Sequence, residues 1–256
     1  MGVIAVTGSA SGIGAAACAR LQAMGHRVIG IDLYDADVIA DLGDADGRRA
    51  AVAGVTKAAG GTLDGLVACA GIGPHSEPRA KIVSVNYFGA TELLAGLRTL
   101  LAAGTQPAAV AVSSNSSMMV PVADHPMVTA CLEGNEEEAC RHAAAADGTT
   151  VYAGTKQALA RFVRRNATGA DWAGAGIRLN AVAPGAVMTP LLRDGLNDPE
   201  FGPAIREFPI PLGGFGQPEQ LAGAVAFLIG PDSSFCCGSV LFVDGGSDAL
   251  VRPDTY

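Results

Sequence analysis

The sequence predicts an α/β fold, a doubly wound parallel sheet covered by helices on both faces. Two observations predict it. Short β-branched runs alternate with alanine-rich stretches of helical length from the first residues onward, and the first of these runs leads straight into a glycine-rich turn. Strands are expected near 3–7, 27–32, 63–69, 107–113, 177–182 and 239–243, and a short extra strand near 37–40 would make the sheet seven-stranded. No internal repeat or Pro/Ser-rich linker divides the chain. Its 256 residues suffice for one well-buried core and are short for two, so a single domain over residues 1–256 is expected.

Composition narrows the function. Hydrophobic residues make up 49% and charged residues only 16%, yet the longest apolar runs, such as "LAGAVAFLIG" (221–230), are about half of what a bilayer demands. No membrane span is expected. The opening "MGVIAVTG" lacks a basic segment and a small-residue cleavage site, so it reads as the first strand. A net charge of −8 argues against a nucleic-acid surface, which would carry a basic patch. The six cysteines and four histidines follow no zinc-binding spacing, so no metal is expected. With no secretory signal the thiols should be reduced, which suits a cytoplasmic protein.

Strand "VIAVT" runs into "GSASGIG", placing Gly8, Gly12 and Gly14 ahead of the helix "AAACARLQAMG". Glycines let the backbone turn tightly and bring its N–H groups up to a diphosphate, and the helix N-terminus adds partial positive charge. An acidic protein can hold a dinucleotide in this way. An ordinary tight turn would also use glycine. Here, however, an acidic residue, Asp32, stands at the end of the second strand in "VIGID". Its carboxylate would accept from the adenosine ribose hydroxyls and repel a 2′-phosphate, favouring NAD over NADP.

Taken with "VNYFG", "VSS" and "YAGTK", the loop "TGSASGIG" makes the chain resemble the short-chain dehydrogenase/reductase family over essentially its whole length. The resemblance implies a Rossmann-type fold with NAD held by Thr7, Gly8, Gly12, Ile13 and Gly14 in the phosphate loop. Asp32 would lie at the ribose, Asp41 and Leu42 beside the adenine, and Gly71 along the cofactor. It also implies a catalytic group of Asn86, Ser114, Tyr152 and Lys156. In "APGAVMTP", Pro184, Gly185, Val187 and Thr189 would flank the nicotinamide, and family members are commonly homo-oligomers, here a dimer or tetramer.

Two departures from the family pattern stand out. "ACAG" puts Cys69 where the family has an asparagine that helps tie the central strands. In addition, 38 positions separate Ser114 from Tyr152, far more than is usual, through a helical-looking insertion at about 118–149. Ser113, Ser114, Ser116 and Ser117 therefore compete for the serine role. Ser114, at the strand's end, matches best, and Ser116 is the alternative. The lengthened segment, "VSVNYFGATEL", "DGLNDPEFG" and "DALVRP" resemble family members that act on steroids. That implies an apolar substrate such as a 3-hydroxy or 3-keto steroid.

Tyr152 and Lys156, four positions apart, share a helix face. Such pairs are common on surfaces, but here they follow a strand-end serine and a dinucleotide loop. A free phenol ionises near pH 10, and a neighbouring ammonium, reinforced by the positive ring of NAD⁺, is expected to lower that, so that Tyr152 exchanges a proton with the substrate oxygen. The segment 188–214 is longer than packing needs. Met188, Leu191, Leu192, Phe201, Ile205 and Phe208 are candidates for an apolar lid, or else for ordinary core packing. Met118, Met119 and the inserted helix are expected to border the pocket or serve subunit contacts. The same chemistry on a terpenoid or sugar alcohol, and a non-catalytic NAD-binding sensor, remain the alternatives.

Overall fold

A computed structural model describes residues 2–255. Seven parallel strands lie in the order β3-β2-β1-β4-β5-β6-β7. They are β1 (Val3–Thr7), β2 (Arg27–Asp32), β3 (Val38–Ile39), β4 (Gly65–Ala68), β5 (Ala108–Val112), β6 (Arg178–Pro184) and β7 (Val240–Val243). The expected strands are all present, within a residue or two of their predicted bounds. The central strands β4 and β5 are buried throughout, which is why they read as unbroken apolar runs with no alternation. Between β1 and β4 the winding reverses, and the C-terminal ends of these strands open the crevice where such sheets bind ligands.

The helices follow in order: α1 (Gly12–Ala23), α2 (Ala45–Ala59), α3 (Arg79–Val83), α4 (Ala90–Gly96), α5 (Arg98–Ala102), α6 (Ser116–Met119) and α7 (Pro126–Leu132). They continue with α8 (Glu136–Ala144), α9 (Gly148–Asn166), α10 (Pro190–Asn197), α11 (Gly202–Glu207), α12 (Pro218–Ile229) and α13 (Ser247–Val251). Helices α1 and α12 pack together over one face of the sheet, around Ile4, Leu21, Val110, Val182 and Leu228. The other face carries the larger core, built with α2, α4 and α9. Between α3 and α4 the chain makes a π-helical turn, Ser84–Gly89. Such turns mark places where a helix is bent for a purpose.

The insertion forms two helices, α7 and α8, hinged at Gly134, whose φ is +74°. Met127, Val128, Cys131, Ala139 and Ala143 bury its apolar side against α3, the π turn and α9. Arg48 of α2 fastens it from below. This fully buried guanidinium meets Glu136 of α8 at 2.5 and 3.2 Å and Glu92 of α4 at 2.9 Å. Arg48 also donates to the Leu42 carbonyl at 3.3 Å. The insertion is thus a packed layer of the core.

Candidate active site

At the C-terminal edge of the central strands a cleft of about 420 Å³ is bounded on one side by the glycine turn and on the other by α10 and α11. The turn has the conformation its glycines allow. Gly8 and Gly12 have φ of +69° and +52°, and a Cβ on Gly14 would stand 2.0 Å from the Gly8 carbonyl oxygen. Ser11, the N-cap of α1, makes no capping bond with its side chain. Asp32 supports the turn through its Oδ2, which accepts from Ala10 N at 2.9 Å.

Helix α9 brings up the opposite wall. Its first turn is capped by Asp147, which accepts from Thr150 N at 2.9 Å and Thr150 Oγ1 at 2.7 Å. Thr149, Tyr152 and Lys156 recur every three or four residues and so face the cleft together. Ser113, Ser114, Asn115 and Ser116, which follow β5, join them there. The four competing serines separate. Ser113 donates to the Lys156 carbonyl at 2.8 Å, and Ser117 is fully buried and lines no cleft. Ser114 Oγ receives Ser116 Oγ at 2.9 Å and Ser116 N at 3.2 Å. Asn86 sits in the π turn and brackets Ile72, accepting from its N at 2.8 Å and donating to its O at 3.0 Å. This bond pair holds the loop that carries Gly71 against the cleft.

Without NAD, desolvation governs the ionisation of the Tyr152–Lys156 pair. Lys156 Nζ lies 5.8 Å from the centre of the Tyr152 ring and donates to the Val112 carbonyl at 2.9 Å. Burial pushes the Tyr152 phenol up, and the bond with Ser114 is what opposes the rise. Burial likewise lowers the Lys156 ammonium to about 8, offset in part by the Cys69 thiol. In the protein alone, desolvation is the largest influence on both groups. The amine does not by itself make the phenol acidic.

Of the other residues expected at the site, Gly8, Gly12, Ile13, Gly14, Gly71, Pro184, Gly185, Val187 and Thr189 line the cleft. Thr7 does not: its Oγ1 accepts from Cys69 N and Ala70 N, both at 2.9 Å, and ties β1 to the end of β4. That bond supplies the strand tie which Cys69 seemed to put in doubt. Asp32, Asp41 and Leu42 also lie outside the cleft lining. Asp41 caps Gly43 N at 2.8 Å and stands 3.6 Å from Lys81, and Leu42 is buried.

Among the lid candidates, Leu191, Leu192, Phe201, Ile205 and Phe208 line the cleft and Met188 does not. Met119 reaches it, while Met118 is exposed. Helices α7 and α8 contribute nothing to its wall. Sequence reasoning missed Pro74, His75, Val120 and Thr149. His75 packs beside Gly73 and α10, with its Nδ1 buried and unpartnered. Its place in the loop after β4, at the carboxyl end of a central strand, was the available signal.

A winding reversal with a glycine turn beneath it, and a serine, tyrosine and lysine converging beside that turn, together with the relatives that follow, define a short-chain oxidoreductase acting on secondary alcohols and ketones. The chain belongs to the short-chain dehydrogenase family. Residues 2–127 match the family's short chain dehydrogenase signature, and residues 138–248 match the related signature described as enoyl-(acyl carrier protein) reductase. The chain is 45% identical, over the full length of both proteins, to the 3-alpha-hydroxysteroid dehydrogenase/carbonyl reductase of Comamonas testosteroni. The crystal structure of the 3-alpha-hydroxysteroid dehydrogenase from Pseudomonas sp. B-0831, complexed with NADH, superposes with a TM-score of 0.97 at 51% identity, covering 99% of this chain and 100% of that one. A more distant relative is the cis-4-hydroxycyclohexanecarboxylate dehydrogenase of Sinomonas cyclohexanicum, 31% identical over 97% of each protein.

Proposed function

We propose that the protein is an NAD-dependent dehydrogenase/reductase that interconverts a secondary alcohol and a ketone at the 3-position of a steroid or a similar apolar ring compound. One observation carries the reading. The serine, tyrosine and lysine cluster meets the glycine turn in a single cleft whose remaining wall, from Met119 and Val120 to Leu191, Phe201, Ile205 and Phe208, is almost wholly apolar. The steroid substrates and bound NADH named for the two most similar relatives above support it.

The turn suits a dinucleotide because its glycines let it fold more tightly on its own backbone than side chains would allow, while Gly8, Gly12 and Gly14 line the cleft. Backbone N–H groups of the turn, the start of α1 and the free Ser11 hydroxyl would hold the diphosphate. Asp32 accepts from Ala10 N through Oδ2 and from Leu33 N through Oδ1, and the remaining lone pairs of the carboxylate would receive ribose hydroxyls and disfavour a 2′-phosphate. When bound, the nicotinamide supplies hydride exchange with the substrate carbon.

The chain's own residues handle the proton. Tyr152 takes it from the alcohol, or gives it to the ketone, at its phenolic oxygen. Ser114 donates to the substrate oxygen and holds it in line, a positioning effect of several orders of magnitude when the geometry is right. Lys156, buried and anchored by its bond to the Val112 carbonyl, would bind the ribose beside the nicotinamide. Asn86 keeps the Gly71–Ile72 loop in place. The apolar wall excludes water and accepts a hydrocarbon frame.

The chain is further proposed to work as one cytoplasmic domain assembled into a dimer or tetramer. Exposed Phe227, Phe235 and Leu241, from α12, the following loop and β7, support subunit contact. Among the described residues no helix is long and apolar enough to cross a membrane. The test is NADH absorbance with a panel of 3-hydroxysteroids, sugar alcohols and simple alcohols, offered with NAD and with NADP. Turnover confined to sugars would move the substrate, NADH binding without any turnover would make the chain a sensor, and turnover surviving Tyr152→Phe would remove the mechanism.

A further inference from the structure

The four serines after β5 are not equivalent, and the second and fourth positions of "SSNS" form a directed pair. Ser114 Oγ accepts from the Ser116 hydroxyl at 2.9 Å and from the Ser116 backbone N–H at 3.2 Å. A hydroxyl oxygen has two lone pairs and one proton. Both lone pairs of Ser114 are therefore occupied by Ser116, and only its proton remains free to bond. The backbone half of this arrangement follows from the local fold. Ser116 opens α6, so its N–H has no partner within the helix, and a side chain two residues earlier is well placed to accept it.

We propose that Ser116 is a positioning residue that turns Ser114 into a one-way hydrogen-bond donor, so that the chain Ser116 to Ser114 points its one free proton into the cleft, at Tyr152 in the free protein and at the substrate oxygen once substrate is bound. The inference rests on the reading of Ser114 and Tyr152 given above. Without the Ser116 hydroxyl one lone pair of Ser114 would be free, the backbone N–H of residue 116 still holding the other, and Ser114 could accept as well as donate and would compete with Tyr152 for the alcohol proton. With both lone pairs filled, it can only donate. A donor already accepting two bonds is also polarised into a stronger donor. The bond it makes to Tyr152 is the one neighbour that favours the phenolate against burial. Ser116 therefore acts on the phenol through Ser114. Ser113 and Ser117 cannot substitute, because one is bonded to the Lys156 carbonyl and the other lies outside the cleft.

The experiment compares wild type with Ser116→Ala, Ser114→Ala and the double variant, following alcohol oxidation across pH with NAD saturating. Among the described residues, the titratable groups that line the cleft with Tyr152 are Lys156, Cys69 and His75, and no carboxylate lines it. Ser116→Ala should lower kcat about tenfold, the equivalent of one hydrogen bond of about 1.4 kcal/mol, with KM for the alcohol little changed. Because the phenolate loses support, the acid limb of the oxidation profile should move to higher pH. Ser116→Thr, which keeps the hydroxyl, should restore both. In the Ser114→Ala background, Ser116→Ala should do nothing further.

Unchanged kcat and pH profile in Ser116→Ala would overturn the proposal, as would a loss that persists in full on top of Ser114→Ala. An effect confined to KM would also overturn it and make Ser116 a direct substrate contact. Should the alanine variant not fold, Ser116→Thr against Ser116→Val isolates the hydroxyl at nearly constant volume and is read in the same way. Tyr152→Phe separates the two levels. An inactive Tyr152→Phe beside a wild-type-like Ser116→Ala sinks only the relay, whereas an active Tyr152→Phe sinks the underlying reading.

Discussion

Replacing Lys156 by methionine should make the cofactor-free protein more stable while removing its activity. The ammonium is almost fully buried, and burial lowers its ionisation from an ordinary 10.5 to about 8. That displacement corresponds to about 3 kcal/mol held against folding at neutral pH. Methionine fills a similar volume without charge but forfeits the bond to the Val112 carbonyl, a loss of about 1–2 kcal/mol. The variant should therefore gain about 1–2 kcal/mol at pH 7. The sign follows from linkage. Between pH 8 and 10.5 the unfolded chain binds more protons at this lysine than the folded one, so wild-type stability rises with pH in that window. Below pH 8 the penalty is complete, and above 10.5 it has vanished. The variant's advantage should shrink through the window and reverse near its top, where only the lost hydrogen bond remains. Urea denaturation of both cofactor-free proteins at pH 7 and pH 10 measures the difference, with contributions shared by both chains cancelling. A difference of the same size and sign at both pH values would refute the reasoning, because Lys156 would then titrate as an ordinary lysine.

Further outcomes follow from the same geometry. Asn86→Ala strands the Ile72 N–H and carbonyl, and should lower stability by about 2–3 kcal/mol in urea denaturation and reduce kcat by slackening the loop that carries Gly71. Asp32→Ala removes the acceptor of Ala10 N as well as the negative charge, so KM for NAD should rise while NADP becomes usable, read as the ratio of kcat/KM for the two coenzymes. Glu136→Gln weakens the clamp on buried Arg48 and should cost about 2 kcal/mol of stability. It should leave kcat near wild type, because α8 lines no part of the cleft. A large loss of kcat with stability intact would show that the inserted layer reaches the chemistry.

The sequence by itself determined the winding of the sheet, the glycine turn and the alignment of Tyr152 with Lys156, because each is written in a short stretch. The succession of β-branched runs and alanine-rich stretches fixes the sheet, glycine favours the left-handed turn at Gly8 and Gly12, and a spacing of four fixes a helix face. What only the tertiary structure decided lies in groups brought together from far apart. Four serines within five residues offered the same chemistry, and packing gave them different partners: Ser113 to the Lys156 carbonyl, Ser116 to Ser114. The insertion read as a possible pocket border; its ends, at Met119, Val120 and Thr149, do border the cleft, while its helices α7 and α8 pack into the core, α8 through Glu136, 88 positions from its partner Arg48. His75 and Thr149 enter the cleft from separate segments with no shared pattern. Above all, the ionisation of Tyr152 and Lys156 depends on how much water the fold removes from them. Spacing fixes which groups can meet along a helix, whereas desolvation is a property of everything packed around them, and no short stretch of chain encodes it.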